Sequence, residues 1–212
     1  MSVHPIEVES YQILARRLQA LGPGSAARLA ALDPVGRTIV ERMVHSTADL
    51  AFVDSALVGR DASRNLVDAV AGDAPVIVDA AMVGAGITRY KTRCYLDRVP
   101  VAPPGSTRAA EAVSLAAEEH PSGAVFIIGN APTALFRLIE LHQAGLVDPL
   151  AVIGVPVGFV GAAESKEALW ASSLNPICVT NRGERGGSPV AAAAFNAVVR
   201  IAADKTLGGD QQ

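Results

Sequence analysis

Residues 124–145 read AVFIIGNAPTALFRLIELHQAG. The first part, AVFIIG at 124–129, is short and continuously apolar. Strands covered on both faces have this character, because neither side of the pleat meets water. The remainder predicts a helix over 130–145, with Asn130 as its cap and Gly145 as its stop. A buried strand that runs straight into a helix is the repeating half of a parallel α/β sheet.

The same unit recurs to either side. Further strands are expected at 75–80 (PVIVDA), 93–97 (RCYLD), 150–155 (LAVIGV) and 176–181 (PICVTN), all continuously apolar apart from RCYLD. Helices are expected at 106–120, from a Ser106 cap to the residue before Pro121, and at 161–173 and 188–204. Three more precede the sheet, at about 5–21, 34–48 and 61–71. The expectation is one domain over 1–212, an open, mostly parallel β-sheet with helices on both faces. N-terminal helices would occupy about 5–71, and the sheet with its crossover helices about 75–204. There is no internal repeat and no low-complexity linker, and the tail LGGDQQ (207–212) reads as frayed.

Composition narrows the function classes. Half of the 212 residues are hydrophobic, enough for one sizeable core. Aromatics are only 4%, while Ala, Val, Leu and Gly abound, which suits helices packed closely on a sheet. A formal charge of -3 gives no footprint for nucleic acid or an anionic membrane. The two cysteines, Cys94 and Cys178, form no C-x-x-C, so neither a disulfide framework nor a zinc site is expected. MSVHPIEVES has no basic n-region and no apolar h-region of a signal peptide. Gly, Pro and charges interrupt every apolar run before it reaches a membrane span. A cytoplasmic protein is the expectation.

In an open parallel sheet the loops after the strands gather at one edge, and ligands bind there. Here those loops are DAAMVGAGITR (79–89), GNAPTA (129–134), GVPVGFVGAAES (154–165) and TNRGERGGS (180–188). All are Gly-rich and most lead into a helix N-terminus, where amides and the helix dipole favour anions. Arg89, Lys91, Arg93, Arg182 and Arg185 lie in or near them. The implied ligand is anionic and large enough for four loops to share.

Familiar nucleotide and hydrolase motifs do not fit. GAGITR (84–89) has two glycines of a dinucleotide fingerprint, but Arg89 takes the third place and no obvious helix follows. There is no G-x-x-x-x-G-K-[ST] and no G-x-S-x-G. The four histidines are scattered without an H-x-x-x-H pair, so no metal site is expected. Of the acids, Asp79 at a strand end reads as holding a turn. Glu164 at a helix start reads equally as a functional group or as a complement to the helix dipole.

His45 lies in DPVGRTIVERMVHSTADL (33–50), with Asp33 as the cap and Pro34 at the first helical position. Val35, Ile39, Val40, Met43 and Val44 form the apolar stripe, and at 100° per residue His45 falls opposite it. Periodicity alone favours a solvated surface histidine. The nearby helix C-terminus pulls the other way, because its partial negative charge favours the imidazolium and predicts a raised pKa, which suits a proton donor.

Several longer pieces carry a resemblance: RMVHS (42–46), DAAMVGAGITR (79–89), STRAA (106–110), GNAPTALF (129–136), VPVGFVGAAESK (155–166) and GGSP (186–189). Through them, and over nearly its whole length, the chain resembles the precorrin-8X and cobalt-precorrin-8 methylmutases of corrin-ring (vitamin B12) biosynthesis. The resemblance implies an α/β fold and a homodimer whose active sites draw on both subunits. It implies an isomerase that moves a methyl group from C-11 to C-12 of the macrocycle. The substrate would be precorrin-8X or cobalt-precorrin-8, and the product hydrogenobyrinic or cobyrinic acid. No cofactor is implied, since the methyl group moves within one molecule.

Residue by residue, the family's catalytic histidine carries over onto His45 through RMVH. A substrate-contacting serine carries over onto Ser10 in IEVESY, and a substrate-binding arginine onto Arg108 in STRAA. The matched loops add Thr88, Arg89, Asn130, Thr133, Gly158, Val160, Ser165, Arg185 and Gly187 as substrate-binding candidates. The chain departs from the family with Tyr11 in place of the usual Phe, and with Ala81 where some members have an acid. Two other readings stand beside this one: a nucleotide-dependent oxidoreductase or transferase on a Rossmann-like sheet, and a corrin-binding carrier without chemistry.

Overall fold

A computed structural model describes residues 4–209 of the chain, with side chains described through residue 203. The leading residues 1–3 and the last three of the tail expected to fray lie outside the described residues. In chain order the elements are α1 (Pro5–Gln19), α2 (Pro23–Ala30), α3 (Pro34–Thr47), α4 (Ala51–Ser55), β1 (Ala56–Val58), α5 (Ala62–Ala71), β2 (Val76–Val78), α6 (Ala81–Gly86), β3 (Thr92–Cys94), α7 (Arg108–Glu119), β4 (Val125–Ile128), α8 (Pro132–Gln143), β5 (Ala151–Gly154), α9 (Ala162–Ala171), β6 (Cys178–Asn181) and α10 (Ser188–Gly209). Single 3-10 turns lie at Leu96–Arg98 and Asn175–Ile177.

The six strands form one sheet in the order β1-β6-β5-β4-β2-β3. Every pairing is parallel except β1 with β6, where Ala56 faces Asn181 and Val58 faces Val179. Alternate side chains of each strand serve different layers. Val125 and Ile127 face the layer that holds α3, α5, α6 and α10, whereas Phe126 and Ile128 face α7, α8 and α9. Residues alternate because successive Cβ atoms point to opposite faces of a pleat. Phe126 is fully buried against Leu135 and Leu138, and truncating such a ring costs about 3–5 kcal/mol.

The open parallel sheet with helices on both faces is therefore the observed architecture. Local differences from expectation have physical causes. The strand expected at 93–97 is only Thr92–Cys94, because the chain turns at Tyr95, where Arg98 N–H donates to the Tyr95 carbonyl at 3.0 Å. Thr107, not Ser106, caps α7, its hydroxyl accepting from Ala110 N–H at 3.2 Å. Residues 81–86, expected as loop, form the short helix α6. The last helix extends beyond the expected 204 to Gly209.

Asn130 does not cap α8; Ala131 occupies that position without a side-chain bond. Asp79, at the end of β2, supplies the missing acceptor. Its carboxylate accepts from the N–H groups of Gly129, Asn130 and Ala131 at 2.9, 2.8 and 2.7 Å. Burial pushes the Asp79 carboxyl up, and these amides pull it back. The sheet order reverses between β2 and β4, the crevice where open α/β sheets commonly bind ligands. Asp79 stitches that crevice shut at its base.

Candidate active site

His45 stands in the last turn of α3, off the buried stripe formed by Gly36, Ile39, Val40, Met43 and Val44. It is half-buried rather than solvated, because α1 crosses that side of α3. Ser10 Oγ lies 2.9 Å from His45 Nε2. The Tyr11 ring lies flat on the imidazole, with centroids 4.7 Å apart and planes at 11°. The Arg42 guanidinium sits over the same tyrosine, 5.6 Å from its centroid, and its buried Nε has no hydrogen-bond partner among the described residues. One turn before Tyr11, Glu7 pairs with Arg200 of α10 at 3.3 Å.

This setting corrects the expected direction of the histidine pKa. Burial lowers it below the usual 6.5, Arg42 lowers it further, and Glu7 opposes them. The partial charge at a helix end is outweighed by lost hydration and a full positive charge nearby. The resting imidazole is neutral at pH 7, with one nitrogen a donor and the other an acceptor. A cavity of about 80 Å³ opens here, lined by Ser10, Ile13, Arg17, His45 and Leu50 among others. It has room for two or three waters at roughly 30 Å³ each, or for one substituent of a larger ligand.

The sheet connects this cluster to the loop edge. Because β1 runs antiparallel to β6, residues 48–55 lie at the carboxyl ends of the parallel strands. Arg182 N–H donates to the Ser55 carbonyl at 2.9 Å, and Arg185 pairs with Asp49 at 2.5 Å. Asp49 follows the left-handed Ala48 that ends α3, so Arg185 is tied to the segment just after the helix that carries His45. The neighbouring loop is laced to the same segment: Gly158 N–H donates to the Glu184 carbonyl at 3.2 Å, and Gly187 N–H to the Val155 carbonyl at 2.8 Å.

Other candidates fall elsewhere. Thr88 and Arg89 are exposed, and Thr88 N–H donates to Asn196 Oδ1 at 3.3 Å. Asn130 is exposed with its N–H on Asp79. Thr133 meets Thr107 hydroxyl to hydroxyl at 2.7 Å. Val160 is 88% exposed beside Phe159 at 91%, an uncommon display of apolar surface at a loop tip. Arg108 donates from Nε to the Val99 carbonyl at 2.6 Å and from Nη2 to that of Leu96 at 3.0 Å, so it holds a turn. Ser165 is a correction: it is fully buried and its hydroxyl donates to Ala162 O at 3.0 Å, which leaves it no access to a ligand.

The glycine-rich loops also serve the chain itself. A Cβ on Gly129 would stand 2.7 Å from the Ala191 Cβ, and one on Gly186 would stand 2.2 Å from the Val155 carbonyl oxygen. Gly158, by contrast, has a φ of 147° and open space around it, so its freedom is available to a ligand. Arg108 and Thr133 belong to the α7–α8 layer, and His45 to the α3–α10 layer. Among the described residues no hydrogen bond or ion pair joins the two groups. Also among the described residues, no cluster of His, Cys, Asp and Glu suits a metal ion, and no helix is long and apolar enough to cross a membrane.

Sequence reasoning placed Arg42 on the same face of α3 as His45 but did not find Glu7 or Arg200 in their surroundings. Their association depends on how α1 and α10 lie against α3, for which the sequence offers no periodic signal.

The family profile described as CbiC, precorrin-8X methylmutase, matches residues 5–201. A protein of Methanothermobacter thermautotrophicus named cobalt-precorrin-8 methylmutase is 40% identical over 203 residues, covering 94% of this chain and 97% of that protein. One of Pseudomonas aeruginosa named precorrin-8X methylmutase is 40% identical over 182 residues, covering 81% of this chain and 87% of that protein. The crystal structure of precorrin-8x methyl mutase from Thermus thermophilus superposes with a TM-score of 0.80 at 31% identity, covering 94% of this chain and 96% of that one. With a profile match over residues 5–201 and relatives 40% identical over most of its length, the chain belongs to the precorrin-8X methylmutase family.

Proposed function

We propose that the chain moves the C-11 methyl group of precorrin-8X, or of its cobalt counterpart, to C-12, with His45 handling the proton. It is an isomerase of cobalamin biosynthesis by family. One C–C bond at C-11 breaks and one at C-12 forms, and the methyl group never leaves the ring. Migration needs electron demand at the terminus, and protonating a ring nitrogen supplies it. A proton lent to the ring is returned as the product forms, so the net change is isomerisation to hydrogenobyrinic or cobyrinic acid.

The observation that carries this reading is the seating of His45 among Ser10, Tyr11 and Arg42 at a small cavity. A lowered pKa makes the imidazolium a minority form at rest and a stronger acid once formed. A polyanionic macrocycle would raise that pKa on binding, because its carboxylates oppose Arg42. Arg185, Arg89 and the amides of the 158–160 tip would receive the rim, and Phe159 and Val160 the apolar face. General acid catalysis of this kind contributes about 10²–10⁴ in rate.

The functional protein is a cytoplasmic homodimer in this reading. Arg108 and Thr133 lie in a different layer from His45, which supports sites that draw on two subunits. A neutral resting histidine would equally suit a carrier without chemistry. One experiment separates the two: incubation of purified protein with precorrin-8X, followed by its visible spectrum. Conversion establishes the isomerase, and bound but unchanged substrate establishes the carrier. The same assay with cobalt-precorrin-8 identifies the preferred substrate, and sedimentation equilibrium at micromolar concentration tests the dimer.

A further inference from the structure

Lys166 on α9 is enclosed within the protein, with 1% of its surface exposed. Its ammonium donates to the Arg185 carbonyl at 2.5 Å and to Asn181 Oδ1 at 3.4 Å. No ion pair joins it to a carboxylate among the described residues. Burial lowers its pKa to about 8. An unpaired buried cation costs stability, and an apolar side chain of similar volume would commonly be tolerated or preferred at such a place. Its presence therefore calls for a role other than stability.

Its partners supply one. Asn181 Nδ2 donates to the carbonyls of Arg182 and Arg185 at 3.0 and 2.8 Å. Lys166 and Asn181 together draw in the carbonyls of the 182–187 loop, which has no regular backbone ladder of its own. An ammonium suits this task, since its three donors rotate freely to meet acceptors in any plane. At the other end of the loop, Gly187 N–H is fixed to the Val155 carbonyl. Between these anchors the Arg185 side chain reaches Asp49, just past the C-terminal end of α3, the helix that carries His45.

The geometry points to Lys166 as a positioning residue for the active site: it fixes the backbone of the 182–187 loop and so aims the Arg185 guanidinium at Asp49, in the segment that follows the His45 helix. The inference rests on the proposed function where it sets Arg185 against substrate. The clasp itself is independent of that reading.

The test is Lys166→Met, assayed with precorrin-8X and by backbone hydrogen exchange. Exchange of the amides at 182–187 should quicken at least tenfold while the rest of β6 is unchanged. KM should rise about tenfold with kcat within twofold of the parent. Arg185→Ala should raise KM similarly, and the double variant should add nothing further, because both act through one guanidinium. Unchanged exchange, unchanged KM, a fall in kcat alone, or additive effects would each overturn the role. Should Lys166→Met fail to fold, Asn181→Leu removes the other half of the clasp and must loosen the same amides; unaltered protection there overturns it too. If the parent does not turn over precorrin-8X, the functional reading fails while exchange still reads the clasp.

Discussion

Ser10 and His45 meet at 2.9 Å across two helices, 35 residues apart in the chain. The hydroxyl fixes one imidazole nitrogen, and Tyr11 fixes the plane of the ring. The histidine therefore has a set orientation before any ligand arrives.

His45→Ala should lose turnover by about 10²–10⁴ while still binding product. Ser10→Ala should lose about fivefold in kcat, which corresponds to a hydrogen bond of about 1 kcal/mol. Spectral conversion of precorrin-8X measures the first quantity, titration with the product measures binding, and circular dichroism confirms the fold. Parent-like conversion by the His45 variant would remove it from the mechanism.

Arg42→Gln should move the pH profile upward. Burial and Arg42 hold the His45 pKa below its usual value, so an imidazolium donor is lost as pH rises through that lowered pKa. Removing Arg42 takes away the second of those causes, and the descending limb of kcat/KM shifts to higher pH. In stability the sign is opposite in appearance: neutral His45 is favoured in the fold, so its contribution is present above about 6.5 and lost as pH falls through the folded value. A limb at the same pH in parent and variant would exclude this coupling.

Asp79→Ala should be costly, because three amide donors lose one acceptor. Each buried unmet donor costs about 1–3 kcal/mol, and partial hydration keeps the total near the lower sum, about 3 kcal/mol. Urea melts give the figure. A loss below about 1 kcal/mol would mean that water replaces the carboxylate readily.

Arg108→Ala should loosen the turn that carries the Leu96 and Val99 carbonyls, since two of its hydrogen bonds end there. The expected loss is about 1–3 kcal/mol. A variant with parental stability but weakened product binding would instead return Arg108 to the substrate.

The parallel strands were legible because a strand with helices on both sides must be apolar throughout, as AVFIIG and LAVIGV are. β1 was not: Ala56–Val58 is three residues long and follows a helix with no turn signal between them. Nor was α6, whose two glycines in AMVGAG lower helix propensity by roughly 1 kcal/mol each. At the site, periodicity placed His45 correctly off the apolar stripe of its own helix. Its burial comes from α1, and the pattern of one helix holds no information about what lies across from it. Asp79 read as a turn residue, and it is one, though the turn it holds is about fifty residues away at Gly129.

The antiparallel pairing of β1 with β6 and the packing of α3 along α10 have a consequence for biosynthesis of the chain. Both unite an early segment with a late one. While the ribosome is still making the sheet, α3 has no α10 to cover it, Asp49 has no Arg185, and Glu7 has no Arg200. Contacts of such long sequence separation form slowly, after local ones. The nascent protein thus carries its central strands and their crossover helices before the corner around His45 is assembled. That corner comes into being only when the final helix folds back onto the first quarter of the molecule.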